Sequence, residues 1–416
     1  MKNPFRGASS KPRARWLAAG LASAVLLFIA ERLIWPSRTV VTVAPGLTLT
    51  TVETNTARGA LKYYLLTAQP SAGWHLAVKS AGPPENQRDT VLNQTQAAGA
   101  TVGVNGSYFF YNGPAVGPLK LNEKWHLLPW SDRTSLGLDA AGQPHIAPVT
   151  VKATLTVGQE TLPIACLNGD PDNQAKPDAL TLLTPDYGPA YEPGPDESVA
   201  ILSDDKVQSV LPANPPGPMH IPVTASSTIG IPPGGYLLIG RGQAQGLVKW
   251  LHPGDPARLG TLTSPASWSN FPTILGGGPC LIKDGQIDDT EVAEQFKPDV
   301  RAPGPRTTFG IDENGDLLIL VVDGWSVRHP GLTLPETAAL LQSYGARDAM
   351  NFDGGSSTTL VVNGQIVDDP NGPDGGTQVS NLLLLIPGAA DTGPQKTGGP
   401  IAGSSGGNSA TPTATS

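Results

Sequence analysis

The chain has 416 residues, and its composition excludes several classes of protein. Its 49 glycines and 42 prolines are too many for a helical bundle or coiled coil, and 39% apolar residues are too many for a chain disordered throughout. Without residues 1–38 the chain keeps 20 basic and 34 acidic side chains, a net charge of −14, so it lacks the basic surface that nucleic-acid binding requires. We therefore expect a β-rich protein with few helices and no nucleic-acid partner.

The N-terminus has the pattern of a membrane anchor. Basic residues are frequent in 1–15, and the apolar run over 16–35 is long enough as a helix to cross a bilayer of about 30 Å. A cleaved signal peptide is the alternative, but its small-residue cleavage site is poor. We expect residues 1–15 to be a basic cytoplasmic tail, 16–35 an uncleaved signal-anchor transmembrane helix and 36–45 a linker. This arrangement places the rest of the chain outside the cytoplasm, in the periplasm or at the cell surface.

The two cysteines, Cys166 and Cys280, leave two interpretations open. Outside the cytoplasm a single disulfide is permitted, and two buried thiols acting as small apolar residues are equally consistent with the sequence. The cysteines are too far apart in the chain to resemble the close pairs of a metal-thiolate site.

The C-terminal stretch, 387–416, consists largely of glycine, serine, threonine, alanine and proline. It has too few large apolar residues to form a core and is predicted to be a disordered tail. The folded domain is then expected to cover residues 46–386.

Strand signals dominate that domain. The continuous apolar run over 317–322 is typical of a buried strand and ends at Asp323. Hairpins are predicted where Asp284-Gly285 and Asn363-Gly364 separate apolar runs, because these dipeptides suit the positive φ angles of a two-residue turn. A fainter third hairpin is predicted over 117–122.

Two helices can be located. A capping box at Thr333 and Glu336 predicts a helix that runs to a stop at Gly345, and a second helix is expected over 91–98. With a following strand over 349–352, the first of these forms a strand-helix-strand unit. The fold class is therefore α+β, with mixed β-rich sheets. The unit would place Asp323 and Asp353 at the carboxyl ends of its two strands, where open sheets usually bind ligands.

Residues near these strand ends have the chemistry of a glycan-processing site. Asp323 and Asp353 can act as acid, base or nucleophile in splitting a glycosidic bond, and Arg306 carries a planar donor fork suited to an anion. Asn105 can hold a sugar hydroxyl or orient a reacting group. The predicted substrate-binding residues are the glycine loops Gly276, Gly277, Gly278, Gly354 and Gly355, the adjacent Ser356 and Ser357, and the aromatic Tyr108 and Trp325.

Several short motifs occur in a specific order along the chain. They are Asn-Gly-Ser-Tyr-Phe (105–109), Leu-Thr-Pro-Asp-Tyr-Gly (183–188), Gly-Gly-Gly-Pro (276–279), Arg-Thr-Thr-Phe-Gly (306–310), Val-Asp-Gly (322–324), Gly-Leu-Thr-Leu (331–334) and Asn-Phe-Asp-Gly-Gly-Ser-Ser-Thr (351–358). This series resembles the phosphodiester glycosidase family, whose bacterial members are often called exopolysaccharide-related. The likeness extends over about 61–386.

The resemblance implies an extracytoplasmic hydrolase that cleaves the glycosidic bond of sugar 1-phosphodiesters in envelope or extracellular glycans. It implies that Asn105, Arg306, Asp323, Asp353 and the 276–278 loop surround one pocket. Arg306 and the glycine-loop amides would then bind the phosphate, and the two aspartates would share stabilisation of the sugar carbon and activation of water.

Two positions depart from the family pattern. Trp325 and Thr377-Gln378 stand where the family commonly has an arginine and a Glu-Arg pair, so two cations that could grip phosphate are missing. A non-catalytic envelope glycan-binding module that uses the same pocket, with Trp325 and Tyr108 stacking on sugar rings, is therefore the alternative.

No cofactor and no metal ligand are predicted. Acidic residues at Asp170, Asp172 and Asp178, and at Asp368, Asp369 and Asp374, leave a divalent cation as an open alternative. Neither group has the spacing of a calcium-binding EF-hand, so solvated turns are the preferred interpretation.

Overall fold

The computed structural model describes residues 35–82, 87–110, 113–128, 132–169, 178–213, 228–369 and 376–388. Across these residues strands far outnumber helices, which confirms the predicted β-rich α+β class. The α-helices are α1 (Val91–Ala97), α2 (Ala244–Lys249) and α3 (Leu334–Ser343), and short 3₁₀ helices lie at Pro70–Ala72, Ala266–Asn270, Pro298–Arg301 and Gly355–Ser357.

The strands form hydrogen-bonded sheets along the whole described chain. The first are β1 (Ser37–Ala44), β2 (Leu47–Thr56), β3 (Gly59–Ala68), β4 (Trp74–Ser80), β5 (Asp89–Thr90), β6 (Val102–Asn105), β7 (Leu119–Leu121), β8 (Lys124–Leu127) and β9 (Arg133–Leu138). The next are β10 (Pro144–Val157), β11 (Glu160–Ile164), β12 (Cys166–Leu167), β13 (Leu180–Leu183), β14 (Ala190–Tyr191), β15 (Glu197–Ser203), β16 (Lys206–Leu211), β17 (Ile229–Gly230), β18 (Tyr236–Arg241) and β19 (Ala257–Ser264). The last are β20 (Thr273–Gly276), β21 (Cys280–Lys283), β22 (Gln286–Ile287), β23 (Arg306–Asp312), β24 (Leu317–Val322), β25 (Ala346–Asn351), β26 (Leu360–Val362), β27 (Gln365–Ile366), β28 (Gln378–Val379) and β29 (Asn381–Pro387).

Three sheets enclose the main hydrophobic core. The largest has the order β1-β2-β3-β24-β23-β25-β21-β22, and a five-stranded sheet has the order β27-β26-β6-β29-β4. The third has the order β11-β10-β9-β20-β7-β8, with β19 beside β10. Buried side chains from all three meet in this core, including Phe309, Leu383 and Leu136. A separate hydrophobic core around Leu182 and Leu238 contains buried side chains of the sheet β12-β13-β18-β15-β16.

The predicted strand-helix-strand unit is present as β24, α3 and β25. β23 lies between the two strands and is antiparallel to both, so β24 and β25 are parallel and end at the same edge of the sheet. The capping box is also present: the Thr333 hydroxyl accepts from the Glu336 N–H, and the Glu336 carboxylate accepts from the Thr333 N–H at 2.9 Å. The apolar side of α3 packs on the face of the sheet opposite the main core.

The hairpin predictions are also confirmed. β21 and β22 are joined through Asp284 and Gly285, with φ angles of 49° and 77°, and β26 and β27 through Asn363 and Gly364, with φ angles of 50° and 72°. Both residues of each turn thus have the left-handed backbone conformation that a two-residue turn between twisted strands requires. The third hairpin is β7 and β8.

Residues 36–45 are not a linker, so that prediction is wrong. Residues 37–44 form β1, which pairs antiparallel with β2 from Ser37 opposite Glu53 to Ala44 opposite Leu47. The reason is that this segment is rich in β-branched valine and threonine, which favour the extended conformation and find an open sheet edge beside β2.

The predicted cytoplasmic tail, membrane anchor and C-terminal tail fall almost entirely outside the described residues. Residues 1–34, which include almost all of the predicted tail and anchor, lie outside the described residues, as do residues 389–416. In the described ranges, no helix has the length and apolar character needed to span a bilayer. Cys166 and Cys280 are both buried and are not joined to each other, so the disulfide alternative is not formed.

Candidate active site

The edge where β24 and β25 end gathers the predicted catalytic residues. Asp323 follows β24, Asp353 lies two residues after β25, and Arg306 begins β23 between them. Asn105, the last residue of β6, approaches from the other sheet: its Nδ2 donates to the Asp353 carbonyl oxygen at 2.7 Å, and its Oδ1 accepts from the Thr307 hydroxyl at 2.6 Å. Asn105 is 1% exposed, so it joins the two sheets and positions Asp353.

Asp353 has the environment of an acid-base group. Its Oδ1 accepts from the Gly354 N–H at 2.9 Å, and the Ser357 hydroxyl also donates to the carboxylate. Burial outweighs both hydrogen bonds and raises the pKa of Asp353 to about 6. A carboxyl group that titrates near neutrality can exchange protons with a substrate or water under physiological conditions.

Tyr108 adjoins this carboxylate. Its hydroxyl oxygen accepts from Asn351 Nδ2 at 2.8 Å, and burial together with the charge of Asp353 raises the pKa of the phenol. The phenol therefore stays neutral near Asp353 at physiological pH.

Arg306 is used differently from the prediction. The side chain is 5% exposed, and its Nε donates to the Leu332 carbonyl at 2.9 Å, while Nη2 donates to the Val300 and Ala302 carbonyls at 2.8 and 2.6 Å. Burial lowers the pKa of the guanidinium. Three backbone acceptors thus occupy much of the donor fork, and Arg306 ties two loops to the sheet edge.

The glycine-loop amides are also occupied. The N–H groups of Gly276, Gly277 and Gly278 donate to the carbonyls of Pro118, Thr134 and Asn351 at 2.8, 3.0 and 2.9 Å. They therefore offer no free donor to an anion, contrary to the expected role.

Close packing explains why these loop positions are glycine. A Cβ on Gly277 would lie 2.7 Å from Met350 Cε and 2.8 Å from Phe352 Cδ1, and Gly278 has φ of +90°. The N–H groups of the second glycine loop are occupied like those of the first. That of Gly354 donates to Asp353, and that of Gly355 donates to the Pro305 carbonyl at 3.1 Å.

Asp323 lies in an environment separate from that of Asp353. It is 3% exposed, its Oδ1 accepts from the Asp369 N–H at 3.1 Å, and its Oδ2 lies 3.4 Å from the Tyr64 hydroxyl and 3.5 Å from Lys62 Nζ. Burial raises the pKa of Asp323, while the Asp369 N–H and Lys62 act in the opposite direction. Asp323 shares the sheet edge with Asp353 but belongs to an acidic cluster with Asp368 and Asp369, of which Asp323 is buried and Asp369 is exposed.

Trp325 stands at the rim of the site. It is 61% exposed, with φ of +57°, and its indole packs against Gly304 and Gly355, where a Cβ would collide with the ring. Ser356 and Ser357 lie in the 3₁₀ helix that follows Gly354, and only Ser357 of the two reaches Asp353 among the contacts described. An exposed indole next to the loop that holds Asp353 suits contact with a sugar ring.

Arg133, the first residue of β9, belongs to the site and was missed by the sequence reasoning. Its guanidinium carbon lies 3.9 Å from the centre of the Phe296 ring, and Arg133 is close to Ser107, Tyr108 and Gly276. Arg133 Nε and Nη1 are buried and have no hydrogen-bond partner among the described residues. No motif surrounds Arg133 in the sequence, so no local signal marks it.

In the part of the chain that the structure describes, no three acidic, histidine or cysteine side chains are grouped so that they could hold a metal ion. Asp170, Asp172 and Asp374 lie outside the described residues. Asp178 accepts from the Gln243 N–H at 2.8 Å, so its carboxylate joins two segments that are far apart in the sequence.

The C-terminal part of the chain, which carries most of this site, has recognisable relatives. Residues 213–386 match the phosphodiester glycosidase family. This confirms the resemblance predicted from the motifs. Arg306, Asp323 and Asp353 lie within the matched stretch, whereas Asn105 and Arg133 precede it.

The curated relatives of this chain include enzymes of animals. The mouse and human proteins named N-acetylglucosamine-1-phosphodiester alpha-N-acetylglucosaminidase are each 32% identical over 111 residues, which is 24% of this chain and 21% of theirs. The match thus spans about a fifth of those relatives.

Solved structures match over more of the chain. A hypothetical protein from Synechocystis aligns with a TM-score of 0.73 and 25% identity, covering 84% of this chain and 64% of that one. A putative exported protein from Burkholderia pseudomallei aligns with a TM-score of 0.68 and 17% identity, covering 85% and 96%, and shows a shared fold.

Proposed function

We propose that this protein hydrolyses the glycosidic bond of sugar 1-phosphodiesters, with Asp353 as the acid-base residue. The observation that carries the proposal is the half-buried Asp353, whose pKa is raised to about 6 in the stretch that matches phosphodiester glycosidases. The substrates named for the animal relatives suggest N-acetylglucosamine as the first sugar to test.

The chemistry needs one well-placed base. Water attacks the anomeric carbon, its proton passes to the Asp353 carboxylate, and the bond between the anomeric carbon and the phosphate oxygen breaks. The products are the free sugar and a phosphate monoester. A phosphate is a good leaving group, so a second carboxyl that protonates it is not required, which agrees with the separate environment of Asp323. The Asn105 amide, which donates to the Asp353 carbonyl oxygen, holds the base in place.

We further propose that the substrate belongs to envelope or extracellular glycans. The support is the sequence pattern of residues 1–35, whose basic residues and apolar run are typical of a signal anchor that leaves the domain outside the cytoplasm.

The test is hydrolysis of N-acetylglucosamine 1-(methyl phosphate) by the full-length chain, followed by detection of free sugar and of methyl phosphate. We expect both products from the wild type and neither from Asp353→Asn. Asp204→Asn is the matched control, because Asp204 is exposed in a turn with φ of 52°, a conformation that asparagine tolerates well. Equal rates for the wild type and Asp353→Asn would refute the role of Asp353.

A glycan-binding module without catalysis is the second candidate, and the exposure of Trp325 favours it. It predicts that the chain binds the same sugar phosphodiester without releasing sugar, and that Trp325→Ala weakens this binding. Release of sugar by the wild type and its loss in Asp353→Asn would exclude this candidate.

A further inference from the structure

Trp325 has a backbone conformation that bulky residues rarely adopt. Its φ angle is +57°, in the left-handed region, which is unfavourable for a residue with a Cβ. The side chain nevertheless stays largely in solvent, since Trp325 is 61% exposed and adds little to a hydrophobic core. Strained residues cluster at binding and catalytic sites, and an exposed large aromatic side chain often marks a surface that contacts a ligand.

The indole is held by two glycines from different segments. A Cβ on Gly304 would lie 2.8 Å from the indole Nε1, and a Cβ on Gly355 would lie 3.0 Å from Cζ2 at the other end of the ring system. Both positions therefore need glycine while the indole is in place. The contacts at the two ends fix the orientation of the ring, and most of the side chain stays open to solvent.

The loop that carries Trp325 is braced by hydrogen bonds. The Ser326 N–H donates to the His329 carbonyl at 3.1 Å, and the His329 N–H donates to the Ser326 hydroxyl at 2.8 Å. The Arg328 carbonyl accepts from the N–H of Ala60 in β3 at 3.0 Å. A preorganised turn thus presents the indole, which lowers the cost of ordering it when a ligand binds.

The seat of the indole is continuous with the loop of the acid-base residue. Gly355 lies two residues beyond Asp353, so their Cα atoms are at most about 7 Å apart. The Gly354 N–H between them donates to Asp353 Oδ1 at 2.9 Å, and the Gly355 N–H donates to the carbonyl of Pro305, next to Gly304, at 3.1 Å. One hydrogen-bonded unit therefore carries both the carboxylate and the seat of the indole.

We propose that Trp325 binds the sugar ring on the far side of the phosphate, so that the preferred substrates are phosphodiesters that join two sugars. This inference rests on the proposed function for the direction of the substrate. In that reaction the released sugar is the terminal one, and its anomeric carbon must reach the half-buried Asp353. The rest of the glycan has to lead away into solvent, which is the side on which Trp325 is exposed. A pyranose can pack its C–H face on an indole and keep its hydroxyls in water.

The test compares two substrates that differ only beyond the phosphate. One is N-acetylglucosamine 1-(methyl phosphate), and in the other the same phosphate is esterified to O6 of methyl glucoside. The kcat/KM for release of N-acetylglucosamine is measured with both for the full-length wild type, Trp325→Ala, Trp325→Phe and the control Trp250→Ala. Phenylalanine keeps an aromatic face, and Trp250, directly after α2, is 79% exposed and receives the same change as Trp325.

We expect the wild type to prefer the glucoside substrate by at least about tenfold in kcat/KM, because stacking adds binding energy away from the reacting bond. Trp325→Ala should remove this preference and keep the kcat/KM for the methyl substrate within about twofold of the wild type. Trp325→Phe should keep part of the preference, and Trp250→Ala all of it. No preference in the wild type, a preference that survives in Trp325→Ala, or equal losses on both substrates in Trp325→Ala would each overturn the assignment.

Binding distinguishes a failure of this inference from a failure of the proposed function. Both compounds are titrated calorimetrically into the full-length Asp353→Asn variant, with and without Trp325→Ala. Tighter binding of the glucoside compound that is lost in Trp325→Ala, without sugar release by the wild type, would support the Trp325 subsite and refute the hydrolase. Sugar release by the wild type, with rates and affinities that do not depend on Trp325, would do the reverse. The absence of both binding and release would refute both.

Discussion

Asp368→Asn should stabilise the protein at neutral and alkaline pH. Asp368 lies in the acidic cluster with Asp323 and Asp369, where its Oδ1 accepts from the Leu360 N–H at 2.8 Å and its buried Oδ2 has no hydrogen-bond partner among the residues that the structure describes. Burial, together with the charges of Asp323 and Asp369, raises the pKa of Asp368 to about 7 from 3.8. Asparagine keeps the acceptor for Leu360 and cannot ionise.

The direction in which stability changes with pH follows from the raised pKa of Asp368. The folded state holds the proton more tightly than the unfolded state, so the stability that Asp368 contributes is complete below about pH 4 and is lost as the pH rises to about 7. The pKa of Asp368 is roughly three units higher in the folded than in the unfolded state. At 1.36 kcal/mol per pKa unit, the ionised carboxyl can lower the free energy of unfolding by at most about 4 kcal/mol. Relaxation and water entry reduce such penalties, so we expect Asp368→Asn to raise the free energy of unfolding by about 2 kcal/mol at pH 8.

The assay is urea unfolding of the wild type and Asp368→Asn at several pH values between 4 and 8. The difference in the free energy of unfolding should be near zero at pH 4, grow through pH 5 to 7 and level off above about 7. Asp204→Asn, at an exposed turn, should show no such trend. A difference that does not depend on pH, or an Asp368→Asn variant less stable than the wild type at pH 8, would refute the reasoning.

Three further predictions concern the site and its support. The kcat/KM for a sugar phosphodiester should rise with pH to a plateau above about 6 and fall by about 10²- to 10⁴-fold in Asp353→Asn, and a wild-type profile flat between pH 5 and 7 would contradict the role as base. Asn105→Ala removes the acceptor of Thr307 and the donor to Asp353, so urea unfolding should show a loss of about 2 to 3 kcal/mol, and a loss below about 0.5 kcal/mol would contradict its positioning role. Gly277→Ala should cost about 1 to 3 kcal/mol by the same assay because its Cβ has no room, whereas the control Gly230→Ala, with open space, should stay within about 0.5 kcal/mol; equal losses would refute the packing argument.

The sequence predicted best where the signal is local. The apolar run over 317–322 corresponds to β24, the capping box at Thr333 starts α3, and the Asp284-Gly285 turn joins β21 to β22. These elements depend on side-chain period, on caps and on positive φ angles, which neighbouring residues determine. The order of strand, helix and strand was then enough to place Asp323 and Asp353 at one edge.

The linker prediction failed because residues 37–44 pair with the next strand along the chain, β2, across the short connection at 45–46. Residues 36–45 have no hydrophobic alternation strong enough to identify a strand by themselves. They become β1 because β2 offers them a free edge, which is a property of the assembled sheet.

The sequence alone determined which residue types reach the site, and the tertiary structure alone decided what each donor does there. Arg306 and the 276–278 glycines have the chemistry to bind phosphate, but the folded chain brings backbone carbonyls from distant segments to their N–H groups. Arg133 has no motif around it, yet folding packs its guanidinium on the Phe296 ring, close to Tyr108. The physical reason is that every buried donor needs a partner, and that partner is found across the whole fold and not along the sequence.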